Sequence, residues 1–121
     1  LDPVSAATCL YNECDVETVN WALSKIGPQP MENLGQEPSS IAWRGRASTY
    51  IICSNDLAIH SALQTVLADR CTFAVEWSTG HSPFASDPQM LSDFLAGLAY
   101  VLQRGACPRW PVRYALISIP K

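Results

Sequence analysis

The hydrophobic rhythm of this chain changes near residue 49. Before that point apolar residues recur at helical spacing. Asp2 is placed to cap a helix whose first residue is Pro3 and which runs through Ala6, Ala7 and Leu10. Asp15 caps a second, with Val16, Val19, Ala22, Leu23 and Ile26 on one face, Gly27 at the C-terminal stop and Pro28 beyond it. From Gln29 to Ser40 there is no period, and Pro30, Gly35 and Pro38 mark a linker or loop. After it the pattern becomes β-α-β-α. Thr49–Cys53 is a short, nearly continuous apolar strand, as expected when both faces are covered. Ile59, Ala62, Leu63, Val66 and Leu67 form the stripe of an amphipathic helix that ends near Asp69-Arg70. Thr72–Trp77 is a second strand. Asp87-Pro88 then caps a helix that buries Leu91, Phe94, Leu95, Leu98 and Leu102 and fades at Arg104-Gly105. In the tail, 105–121, Pro108 and Pro111 flank Trp110, and Val112–Ile119 has the β character of an added edge strand or an extension.

Two strands joined by a crossover helix are expected to be parallel neighbours. Open parallel sheets build their sites just beyond the carboxyl ends of the strands. Both strands here stop at a polar turn that carries one ionisable residue, Asp56 after the first and His81 after the second. Turns favour Asp for local hydrogen bonding alone, and a single loop histidine is ordinarily just solvated. Their joint position at the ends of successive strands points to more: a carboxylate and an imidazole are two parts of a nucleophile–base–acid triad. Gly80 and Pro83 hold the imidazole at a rigid corner. His60 is read as an exposed first-turn helix residue, Trp21 and Trp43 as packing residues, and one of Glu76 and Trp77 as facing a neighbouring element. No Gly-x-Ser-x-Gly occurs in the 121 residues, so the strand–turn–helix that presents a serine nucleophile is not encoded in them.

Composition narrows the alternatives. The length suits one core. Charged residues make up only 16% of the chain, against about 25% for ordinary domains, which implies apolar surface meant to be covered. Eight Lys and Arg against eleven Asp and Glu form no basic stripe, so nucleic acid is not an expected partner. No run approaches a membrane span, and no membrane partner is expected. The five cysteines (Cys9, Cys14, Cys53, Cys71 and Cys107) show no C-x-x-C spacing, which argues against a disulfide framework, a metal site or a cofactor built on them. Cys53 and Cys71 read as small buried hydrophobes, and a reduced cytoplasmic protein is expected. Leu1-Asp-Pro-Val-Ser has neither an initiating Met nor the charge pattern of a signal peptide, and is read as the start of an internal segment or processed chain.

Ser48-Thr-Tyr-Ile-Ile-Cys-Ser-Asn-Asp-Leu-Ala-Ile with Leu63-Gln64, then Thr79-Gly-His-Ser-Pro-Phe, then Asp87-Pro88, resembles the C-terminal half of an α/β-hydrolase, nearest to the small esterase and hydroxynitrile-lyase-like branch. The resemblance covers about residues 1–104. It implies an α/β fold: residues 1–40 as a helical cap-like segment and linker, 41–104 as the parallel β-α-β-α end of the core, and 105–121 as a tail. It implies Asp56 as triad acid, eight residues before Gln64, and His81 as triad base. Tyr11-Asn12, Asp15 and Trp21-Ala22 resemble the cap over the active site. The branch usually has proline shortly after the acid-bearing turn, where this chain has His60-Ser61, and the residues after Gln103 match nothing expected.

Two functions follow. One is the acid/base-bearing half of a serine hydrolase for small esters, inactive alone and completed by an N-terminal half that brings the serine. The other is a non-catalytic α/β-hydrolase remnant acting as an interaction or assembly protein, with a homo-oligomer as the expected state.

Overall fold

Asp2 and Asp15 start the first two helices as side-chain caps. Asp2 Oδ1 accepts from the Val4 and Ser5 amides at 3.0 Å each, and Asp15 Oδ1 accepts from the Thr18 amide at 2.7 Å. The computed structural model describes residues 2–104 together with Ile117–Ser118. In chain order they form α1 (Pro3–Leu10), α2 (Val16–Leu23), β1 (Thr49–Cys53), α3 (Ser61–Ala68), β2 (Phe73–Trp77), α4 (Pro83–Ser86), α5 (Pro88–Arg104) and β3 (Ile117–Ser118).

β1 and β2 are parallel and in register from Thr49↔Phe73 to Cys53↔Trp77, with α3 as the crossover. Side chains alternate across a strand, and the packing follows that alternation. Ile52 and Ala74, with Tyr50, pack against Ala68 of α3. Ile51, Val75 and Trp77 pack against Phe94, Met90, Leu91 and Leu98 of α5. Trp77 and Phe94 meet edge-to-face, centroids 5.3 Å apart at 87°. The sheet is thus covered on both faces, which accounts for the apolar continuity of β1. Beyond β2, Ile117 and Ser118 pair antiparallel with Ala74 and Phe73, giving the strand order β1-β2-β3. The remainder of the 105–121 tail lies outside the described residues.

Several elements depart from the sequence pattern. α2 ends at Leu23 with Ser24 as its cap, so Ile26 and Gly27 lie past the helix and Gly27 is not its stop residue. Val16 is 76% exposed, while Leu10, Leu23 and Ile26, with Met31 and Leu34, line an open apolar groove of about 480 Å³. The linker is not featureless: it contains a 3-10 turn at Met31–Gly35, and a second at Ala42–Gly45 follows it. Trp21 and Trp43 are exposed rather than packed: α1 and α2 bury only the small residues Ala6 and Ala22, and Trp43 lies in the exposed 3-10 turn. α3 is rotated from its hydrophobic stripe. Leu63 and Val66 face solvent, and Gln64 and Ala68 are buried. α4, a single turn begun by Pro83, lies between the His81 turn and α5. No helix among the described residues is long and apolar enough to cross a membrane.

Candidate acid–base site

The two turns beyond β1 and β2 are tied together by backbone before any side chain is considered. The ladder continues past the strand ends through Ser54 N–H to Trp77 O at 2.9 Å and Asn55 N–H to Thr79 O at 3.0 Å. This brings the acid turn alongside the base turn. His81 Nδ1 lies 2.9 Å from Asp56 Oδ2.

Asp56 is held from every side. Its Oδ1 accepts from the Ala58 amide at 2.7 Å and the Ile59 amide at 2.9 Å, and its Oδ2 accepts from Gln64 Nε2 at 3.1 Å. Only 4% of its side chain is exposed, against 31% for His81. Burial by itself pushes the Asp56 carboxyl up. The Ile59 amide, His81 and the Ala58 amide outweigh it, so the carboxyl is held below its ordinary value and stays ionised near neutral pH. An ionised carboxylate can only accept. The proton between Asp56 and His81 therefore sits on Nδ1, and in the neutral ring Nε2 keeps its lone pair. The described residues give Nε2 no hydrogen-bond partner. The result is an oriented, partly exposed imidazole.

Gln64 is the buried brace of the acid turn, at 3% exposure. Its Oε1 accepts from Cys53 N–H at 2.9 Å, and its Nε2 donates to Cys53 O at 3.0 Å and Ile59 O at 2.7 Å as well as to Asp56. It takes both backbone groups of Cys53 as a neighbouring strand would.

A third segment, the α1–α2 loop, reaches both turns. Asn12 Nδ2 donates to Asn55 O at 3.0 Å. Glu13 Oε1 accepts from Asn55 Nδ2 at 2.7 Å, and its Oε2 accepts from Gly80 N–H at 2.6 Å. A side chain at position 80 would run into Asn12 Oδ1, with Cγ and Nδ2 at 3.0 and 3.1 Å, so any other residue there would push the Asn12 side chain from its place against the turn. Sequence reasoning placed Asn12 in a cap-like helix pair and missed Glu13. No local pattern marks Glu13, because its partners lie 42 and 67 positions away.

The other polar candidates stay apart from this pair. His60 is exposed and caps α3, its Nδ1 accepting from Ala62 N–H at 3.2 Å. Glu76 is exposed and Trp77 buried. Burial pushes the Cys53 thiol up, which keeps it protonated and a poor nucleophile. No group of metal-ligating side chains occurs among the described residues.

A parallel β-α-β unit with an oriented carboxylate–imidazole pair beyond its strand ends is the kind of arrangement found in hydrolytic α/β proteins. Over 94 residues the chain is 33% identical to a protein named Alpha/beta hydrolase nvfD from Aspergillus novofumigatus. The alignment takes in 75% of this chain and 38% of that protein, so the chain spans well under half the length of the curated relative it matches. The similarity supports a relationship to the α/β-hydrolases, and the mixed α/β architecture fits it. No family model matches the chain, and no solved structure matches it significantly.

Proposed function

We propose that these residues supply the acid and base of a serine-hydrolase site for small esters, in the small esterase and hydroxynitrile-lyase-like branch, with the nucleophile brought by polypeptide outside them. The observation that carries this reading is the 2.9 Å contact between His81 Nδ1 and a buried Asp56 carboxylate that is already saturated with donors. In a completed site, Nε2 of His81 takes the proton from a serine hydroxyl as its oxygen attacks the ester carbonyl. The imidazolium so formed, stabilised by Asp56, then gives that proton to the departing alkoxide. Water repeats the sequence to release the acid. Without a serine the pair has nothing to activate, and removal of a triad member leaves only residual catalysis.

The test is hydrolysis of an activated short-chain ester, by this chain alone and with the Gly-x-Ser-x-Gly-bearing half of a related hydrolase added in trans. Alone, wild type and His81→Ala should be indistinguishable, and a serine-directed phosphonate should label nothing. With the added half, activity should appear and depend on His81. Stoichiometric labelling of a serine in this chain, or a completed site indifferent to His81→Ala, would overturn the proposal.

A second reading, an interaction or assembly protein, is favoured by specific surface features. Leu63 and Val66 on α3 are each 54% exposed, and the edge of β1 away from β2 carries no strand among the described residues. Such edges pair readily with other chains.

A further inference from the structure

We infer that Glu13 is a positioning residue for the His81–Asp56 pair, acting through the residue that precedes each of them. This rests on the acid–base reading above.

Its carboxylate divides between the two turns, one oxygen to each. Oε1 takes the side-chain amide of Asn55, next to Asp56, and Oε2 takes the backbone N–H of Gly80, next to His81. At 2.7 and 2.6 Å both are at the short end expected of charge-assisted bonds. The Asn55 N–H to Thr79 O bond already joins the turns and holds the carbonyl side of the planar Thr79–Gly80 peptide. Glu13 holds the N–H side of the same peptide, so the plane is gripped at both edges. The Gly80 peptide sets where the His81 Cα points, and hence whether Nδ1 meets Asp56 Oδ2. Asn12 supports the same function from the next position, by its bond to Asn55 O and by filling the space that a Cβ on Gly80 would take. The α1–α2 loop is thus part of the acid–base apparatus rather than only a covering over it.

Gly80 is buried, so truncating Glu13 leaves its N–H with no acceptor and the Thr79–Gly80 peptide held only through its carbonyl. The experiment is NMR on the full chain, comparing wild type, Glu13→Ala, Glu13→Gln and Asn55→Ala. Protection of the Val75 amide in the sheet reports that the fold is intact. The readouts are hydrogen exchange at the Gly80 amide and the far-downfield ring Nδ1 proton of His81, which a merely structural role would leave in place. Glu13→Ala should speed Gly80 exchange at least tenfold and broaden the His81 proton beyond detection while Val75 stays protected. Glu13→Gln retains one acceptor but turns a donor toward Asn55, and should fall between. If Glu13→Ala does not fold, Glu13→Gln and Asn55→Ala decide by the same two signals. A folded variant with an unchanged His81 ring proton would overturn the inference. Neither readout requires turnover, so an unchanged ring proton alongside His81-dependent esterase activity in the completed site would refute this role alone. Loss of the proton with no activity in the completed wild type would refute the esterase reading alone.

Discussion

Replacing Gln64 with alanine isolates the brace beneath the acid turn. The amide is 3% exposed, and Cys53, whose N–H and C=O it satisfies, is 6% exposed, so water does not reach these groups without local opening. Cys53 O keeps the Asp56 N–H at 3.3 Å, so the truncation orphans Cys53 N–H, at about 1–3 kcal/mol for a buried backbone group, and removes a hydrogen bond to the ionised Asp56, at about 1.5–3 kcal/mol. With partial relief by an entering water, the expected loss is about 3–5 kcal/mol, a large part of the roughly 5–15 kcal/mol that holds an ordinary domain together. The assay is urea unfolding followed by circular dichroism at neutral pH, with the slope on denaturant checked for constancy so that the midpoint shift reads as stability. Gln64→Glu should be worse than a simple isostere suggests. It puts a second carboxylate where Nε2 now lies 3.1 Å from Asp56 Oδ2, and it removes the donor to Cys53 O. A Gln64→Ala variant that loses less than about 1 kcal/mol with an unchanged slope would show that the four contacts of this amide are replaceable, and that the acid turn does not depend on it.

The Asp56 carboxyl is lowered in the folded chain, so it binds its proton more readily when unfolded; its contribution is complete above the unfolded value of about 3.9 and is lost as pH falls through the lower folded value. Asp2 and Asp15 are lowered as well, so the midpoint in urea should fall between pH 6 and pH 3 in any case, and the fall should be shallower in Asp56→Asn than in wild type; equal falls would mean Asp56 carries none of it. If the exposed face of α3 and the open edge of β1 are covered by a second copy, light scattering at micromolar concentration should show a dimer or larger assembly burying well above about 1,000 Å²; a cooperative monomer would exclude that form of the assembly reading.

The elements around the site were legible because each is bounded by chemistry visible in the chain. β1 and β2 are short apolar runs ended by polar turns, and Asp87, whose Oδ1 accepts from Met90 N–H at 2.9 Å, marks the start of α5. The Asp56 and His81 positions followed from topology, since a parallel pair delivers both strand ends to one side. The facing of α3 was not legible. A count of apolar residues turns Leu63 and Val66 inward, yet the buried position is taken by Gln64. Burying an amide is unfavourable unless every polar atom is met. Here Cys53 at the strand end, the Asp56 carboxylate and Ile59 O meet them, and those partners come from the backbone of other elements. Periodicity registers side-chain polarity and is blind to that satisfaction.

The same division explains what holds the site and what holds the fold. Apolar packing lies on the two faces of the sheet, where Val75, Trp77 and Phe94 gather on one side and Ile52, Ala68 and Ala74 on the other. The carboxyl ends of the strands are joined to the α1–α2 loop by the hydrogen bonds of Asn12 and Glu13. Hydrogen bonds are directional but modest in net stability, whereas apolar burial is large and indifferent to angle. The first kind suits the orientation of an imidazole and the second suits a core. It follows that the α1–α2 loop can open without unfolding the sheet, since sub-global openings begin where few apolar contacts must be broken. The backbone ladder at the strand ends sets the coarse approach of His81 to Asp56, and the contribution of the α1–α2 loop to that alignment can be altered while the sheet stays intact.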